Sequence, residues 1–244
     1  MGSTSLEKCS CNDLKDLSKL AKAELYLRAI LPTLADLVDL DSKAKEIIGS
    51  KKIKILFNLR NGSKTLISID NGRIKSVVNP AESPDIHLYF LSPEHAIKVF
   101  EEGKLPILLK GLFSISFLKN EFNSLSKRLE YFLKPSETLS DDERKISVSL
   151  QFKFALRAGE VLGEIDLPSQ IILKNTPAGI LMVKVEDIGF EAYFGNIDGK
   201  WKYISKPDDN QIVTSILLFK NLETAEAMLT NKLDSFSALG LGKM

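Results

Sequence analysis

Histidine and cysteine are almost absent from this chain, with two of each in 244 residues. Cys9 and Cys11 are separated by a single residue, which excludes a disulfide framework and reads as two reduced thiols ahead of the first helix. A structural zinc site needs four ligands, and no further cysteine exists to complete one. Neither His87 nor His95 has a partner at a metal-binding spacing, so no metal is expected. An excess of one charge is missing as well. The 33 Lys and Arg stand against 32 Asp and Glu, unlike the basic surface that reads nucleic acid. The longest apolar run, Leu105–Leu118, is broken by Pro106, Lys110 and Gly111 and is too short to cross a bilayer. No basic start with an apolar stretch behind it opens the chain, so no secretory signal is expected and a cytoplasmic setting follows.

Catalytic signatures are scarce too. There is no Gly-x-Ser-x-Gly elbow and no phosphate loop ending in Gly-Lys-Ser/Thr. The carboxylate pairs Glu101-Glu102, Asp141-Asp142 and Asp208-Asp209 are adjacent in sequence, as in solvated caps and turns, whereas an acid/base pair needs contrasting environments. No catalytic residue and no cofactor are assigned.

What is present is an ordered alternation of helical and strand patterns. Leu14, Leu17, Leu20, Leu25 and Leu27 follow helical spacing, with Asn12 or Asp13 as N-cap and Pro32 ending or kinking the run. A second helix is predicted over 34–48, closed by Gly49. Ile53, Ile55, Phe57 and Leu59 alternate as a strand, spoiled once by Leu56, and Asn61-Gly62 and Asn71-Gly72 are hairpin turns leading to strands over 65–70 and 73–78. Ile86, Leu88 and Phe90 share a face of a fourth strand. Ser92-Pro93 then opens a helix that ends at Gly103. The apolar run is read as a helical turn to Lys110, a break at Gly111 and a strand over 112–117. A closing helix follows, with Phe122, Leu125, Leu129 and Phe132 on one face, and a linker at Pro135, Ser136 and Thr138.

The order then begins again. A helix from Asp141 to Ile165 carries acidic residues in its first turn and glycines at 159 and 163 for a close neighbour. An irregular stretch lies between Pro168 and Pro177, then strands at 181–185, 190–194, 201–203 and 211–219, and a helix capped by Asn221. Ile69–Lys75 parallels Ile197–Lys202, Phe90–Ala96 parallels Phe219–Ala225, and Gly103–Leu105 parallels Asn231–Leu233. The offset of roughly 127 to 129 positions is domain-sized. Two domains are expected, 1–135 and 136–244. The second reaches Gly242-Lys243-Met244 where its last strand and closing helix are due.

Ile69-Asp70-Asn71-Gly72, the Pro84-Asp85 entry to the fourth strand, the Ser92-Pro93 helix start, the Gly103-Lys104-Leu105 exit and the apolar run with Gly111 resemble the sterol carrier protein type 2 family. The match is best over 53–133 and weaker over 181–244. The resemblance implies an α+β fold: two tandem sterol-carrier-like modules, each a mostly antiparallel sheet covered by helices, behind an N-terminal helical segment. It also implies non-catalytic binding or transfer of a fatty acid, acyl-CoA, phospholipid or sterol-like ligand in an internal apolar tunnel. Leu105, Leu108, Leu109, Leu112, Phe113, Ile115, Phe117 and Phe122 are then the candidate wall, Phe236 and Leu239 their counterparts, and Lys104 and Lys110 the cations placed to meet a headgroup. The ligand is expected to enter beside the closing helix. The alternatives are an interaction or scaffold module filled by its own side chains, assembling through the incomplete second sheet as a homo-oligomer, or the accessory domain of a larger enzyme.

Overall fold

The computed structural model describes residues 11–134, 139–208 and 210–230. Cys9, the linker residues Pro135, Ser136 and Thr138, Asp209, and the stretch 231–244 with Phe236 and Leu239 lie outside the described residues. The described residues open on a helix that continues past Pro32. α1 (Cys11–Leu25) passes through a π-helical turn, Tyr26–Ile30, into α2 (Leu31–Leu40), with Pro32 in the first turn of α2. Leu31 N–H donates to Tyr26 O, a wider loop than the α-helical one, and the widening lets the helix run on where proline would otherwise break it. Asn12 and Asp13 lie within α1.

The predicted 34–48 helix is two helices. Asp41 leaves helical geometry between α2 and α3 (Ser42–Ile48), and its carboxylate accepts from Ala44 N–H as the N-cap of α3. Four strands follow: β1 (Lys52–Leu59), β2 (Lys64–Asp70), β3 (Arg73–Val78) and β4 (Ile86–Phe90). Asn61, Asn71 and Gly72 take positive φ at the two hairpins, as those residue types allow. α4 (Pro93–Glu102) is capped by Ser92 and ends on left-handed Gly103.

The apolar run inverts its predicted order. β5 (Ile107–Lys110) comes before Gly111. After it come a 3₁₀ turn (Leu112–Ser114), the short α5 (Ile115–Phe117), a π-helical turn (Leu118–Phe122) and α6 (Asn123–Leu133). Gly111 explains the reversal of direction. Its φ is +99°, and a Cβ there would lie 2.8 Å from Asp85 O and 2.9 Å from Ile86 Cα.

The second half holds α7 (Asp141–Ile165), α8 (Leu167–Asn175), β6 (Gly179–Val185), β7 (Phe190–Ile197), β8 (Lys200–Ile204), β9 (Val213–Phe219) and α9 (Leu222–Leu229). α8 replaces the irregular stretch expected after Pro168. Asp166 caps it, accepting from Ser169 N–H, and Pro168 sits in the first turn where no N–H is missed. The glycines of α7 do admit close neighbours, since a Cβ on Gly159 would lie 2.9 Å from the Phe194 ring.

The fold is α+β, with two sheets of the same topology. The first has order β3-β2-β1-β4-β5 and the second β8-β7-β6-β9. In each, the first strand pairs antiparallel with the second and parallel with the fourth. The duplication reaches into the helices, because α2–Asp41–α3 and α7–Asp166–α8 repeat one device, an aspartate that ends one helix and caps the next. One face of the first sheet (Ile55, Phe57, Ile67, Ile86, Phe90) packs on the helices as a core. A second core joins Val183, Val185, Phe190 and Phe219 to Val148 and Phe152 of α7.

Candidate functional site

The eight residues of the candidate wall belong to one chain segment, but the fold divides them between interior and surface. Ser92 caps α4, and His95 stands one turn in. Leu91 N–H donates to His95 Nδ1 at 3.1 Å, which leaves Nε2 as the proton-bearing nitrogen, 3.2 Å from Leu105 O. The imidazole thus ties the start of α4 to the loop before β5 and sets Leu105 outward at 82% exposure. β5 runs antiparallel to β4. Leu88 faces Leu108 and His87 faces Lys110, so Leu109 is the extra residue of a bulge and turns out to solvent. Past Gly111, Leu112 is exposed and Phe113 is 99% exposed.

The remaining members point inward. Leu108, Phe117 and Phe122 pack in or against the first core. Phe122 lies 5.6 Å, ring centre to ring centre, from Phe57. The aromatic cluster continues through Phe90, 5.6 Å from Phe100, to Tyr26, which stacks on Phe100 at 4.7 Å. Ile115 is half-buried between the two sets. Of the eight, Leu105, Leu109, Leu112 and Phe113 are exposed along one chain segment, while Leu108, Phe117 and Phe122 pack in or against the first core. Two broad surface depressions, of about 580 and 470 Å³, lie elsewhere, by Leu20 and Leu91 and by Lys45 and Gly72, and none of the eight residues lines either.

The two lysines are already engaged. Lys110 Nζ donates to Pro84 O and to Ser83 Oγ, and Lys104 lies 3.5 Å from Glu102. His87 is on the sheet face away from the helices, in a row with Leu56, and Asn58 Nδ2 lies 3.1 Å from its Nε2. Burial, and then the charge of Lys64, hold its pKa below the usual histidine value. Among the described residues no group of three or more His, Cys, Asp or Glu is arranged to hold a metal ion, and no helix is long and apolar enough to cross a membrane.

Two features carry no sequence signal. The first is a polar seam between the halves. Asp36, on α2, meets Lys153 Nζ at 2.8 Å and Arg157 at 2.6 Å, both from α7, and Arg28 reaches Glu164. Arg157 also covers the Tyr203 ring at 4.3 Å, and burial raises the Tyr203 phenol to about 12. These charges sit on amphipathic helices, where sequence reads them as a solvated face. The second is a cross-strand row on the outer face of each sheet. Val77–Leu66–Leu56–His87 in the first sheet has the same registers as Ile204–Tyr193–Met182–Ile216 in the second. Leu56, which spoils the strand alternation, belongs to this row, between Leu66 and His87. No family model, no curated protein and no solved structure matches the chain.

Proposed function

We propose that this protein binds a long apolar ligand without catalysis, in the cytoplasm, at the corner formed by β5, Gly111 and the turn that follows. The ligand class is the one the sterol-carrier resemblance implies: a fatty acid, an acyl-CoA, a phospholipid or a sterol-like molecule. The observation that carries the reading is Phe113, a large ring with 99% of its surface in water, standing beside exposed Leu112 on one segment with Leu105 and Leu109. Two adjacent exposed apolar side chains, Leu112 and Phe113, mark a binding site more often than a lone exposed leucine does. Each buried methylene contributes about 0.8 kcal/mol, so a sixteen-carbon tail offers roughly 12 kcal/mol before costs. Association and ordering remove about 4 to 8 kcal/mol, which leaves micromolar affinity within reach of hydrophobic contact alone. A tail lodged deeper than the exposed side chains has to part Phe122 from Phe57, so entry beside α6 requires that helix to shift.

The test is a titration of the full chain with a fluorescent fatty acid, alongside mass spectrometry of organic extracts of natively purified protein. Co-purifying lipid and a micromolar dissociation constant, weakened about tenfold by Leu112→Ser with Phe113→Ser, are expected. Extracts free of lipid together with no saturable binding overturn the reading. A second reading, a protein-interaction module, is favoured by one observation: among the described residues, β9 pairs only with β6.

A further inference from the structure

We infer that residues 112–122 form a hinged lid over the first core, opening about Gly111 and the π-helical turn Leu118–Phe122 to admit the ligand's tail onto Phe57. This rests on the lipid reading, and it confines the shift that parts Phe122 from Phe57 to the turns ahead of Asn123, with the rest of α6 held in place.

The elements on either side of the lid are firmly tied. Upstream, β5 pairs with β4, Lys110 Nζ donates to Pro84 O and Ser83 Oγ, and His95 Nε2 holds Leu105 O. Downstream, Arg128 of α6 grips Asp41, and Leu125, Leu129 and Phe132 are buried in the first core. The segment between them has little of this. Phe117 is its one buried residue. No strand pairs with it, and its hydrogen bonds are local, Ser114 N–H donating to Gly111 O and Leu118 N–H to Ile115 O. Among the described residues, Lys51–Glu121 at 3.3 Å is the one ion pair that ties it to another element, and its lysine is exposed. A region with few buried contacts and only local hydrogen bonds opens at lower cost than the fold around it.

The lid also has a joint at each end. Gly111, at φ +99°, turns the chain out of β5 directly into the 3₁₀ turn Leu112–Ser114. At the far end Asn123 N–H is shared between Asn120 O and Leu118 O, bonds that an α-helix does not make. A 3₁₀ turn winds tighter than the α-helix and a π-helical turn wider, so one can loosen as the other tightens. Ile115–Phe117, lying between the two, then swivels while both ends stay fixed. Beneath it, Phe57, Leu88 and Leu108 make a cross-strand row on the helix-facing side of the first sheet. Moving Phe117 and Phe122 aside clears a path along that row from Leu108 to Phe57. Leu112 and Phe113, left in water when the lid is shut over an empty core, gain a tail to close upon.

The test is amide hydrogen exchange of the full chain at rising urea below the unfolding transition. Amides of 115–122 are expected to exchange about a hundredfold faster than those of 128–132 in α6, at a rate that low urea leaves unchanged, because lid opening exposes little surface. Arg128→Ala separates the two units. The Arg128–Asp41 pair is intact with the lid shut or open, so the variant speeds exchange in α6 about a hundredfold and leaves 115–122 as it was. The urea series on the wild type makes the same separation without a substitution. A saturating fluorescent fatty acid should slow exchange over 115–122 about tenfold. Exchange there that follows α6 in rate, urea dependence and response to Arg128→Ala overturns the lid, and so does a fatty acid that binds without changing it. Local opening with no saturable fatty-acid binding overturns the lipid reading alone and leaves the hinged segment standing.

Discussion

One carboxylate, that of Asp41, terminates α2, caps α3 and anchors α6. It accepts from Ala44 N–H, from Arg128 Nε at 2.8 Å and from Arg128 Nη2 at 3.2 Å, and Arg128 stacks in turn over Phe132 at 4.5 Å. Burial pushes the carboxyl up, but the Arg128 hydrogen bonds and charge outweigh it and hold Asp41 below the usual carboxylate range. Arg128→Ala strands a buried charge, and urea unfolding should show a loss of about 3 kcal/mol. Because the folded pKa is depressed, the pair's contribution is complete above the ordinary aspartate pKa and disappears as pH falls through the folded one. Wild type should therefore lose stability on acidification more steeply than Asp41→Asn, which keeps the cap. His87 gives a second dependence at higher pH. Its folded pKa is depressed by burial and by Lys64, so the unfolded chain takes up the proton first and stability falls as pH drops through the ordinary histidine range near 6.5. His87→Asn should flatten unfolding free energy measured between pH 8 and pH 5; an unchanged slope would sink the assignment. Caps such as Ser92 and Asn221 are legible in sequence because donor and acceptor are three residues apart. The Asp41–Arg128 pair spans 87 positions, and nothing local announces it.

At the scale of elements, β4 is readable because its buried residues alternate, and the hairpins are readable because their turns carry Asn and Gly where φ is positive. The apolar run is not. Residues 105–117 are hydrophobic on every side, so periodicity cannot tell a strand from a helix there. Pairing with β4 makes the strand of 107–110, and Gly111 sets where it ends. Gly111→Ala combines strain at φ +99° with a methyl 2.8 Å from a backbone oxygen, and should cost about 2–3 kcal/mol in urea unfolding. The loss should be accompanied by weaker fatty-acid binding if the exposed turn that follows Gly111 holds the ligand. Pro32 shows the opposite limit. Proline reads as an end or a kink, and the π-helical turn that lets the helix continue leaves no mark in composition.

For the molecule as a whole, the duplication visible in sequence proves to be two sheets sharing one helix. Ile146 and Leu150 of α7 pack into the first core while Val148, Phe152 and Leu156 pack into the second. A helix shared in this way cannot leave one core without uncovering the other, and the Asp36–Lys153–Arg157 seam lies along the same helix. The two sheets are thus expected to unfold together, although each has strands and a core of its own. Trp201, the one tryptophan of the chain, sits on β8 in the second sheet, beneath Gly163 of α7, and so reports on that half alone. Circular dichroism reports on both halves. Urea transitions followed by tryptophan fluorescence and by circular dichroism should coincide in the wild type. Asp36→Ala leaves Lys153 and Arg157 facing each other without their carboxylate, and it should lower both midpoints together. A fluorescence transition that precedes the circular dichroism transition in the wild type would mean that the second sheet unfolds independently and that α7 does not couple the halves.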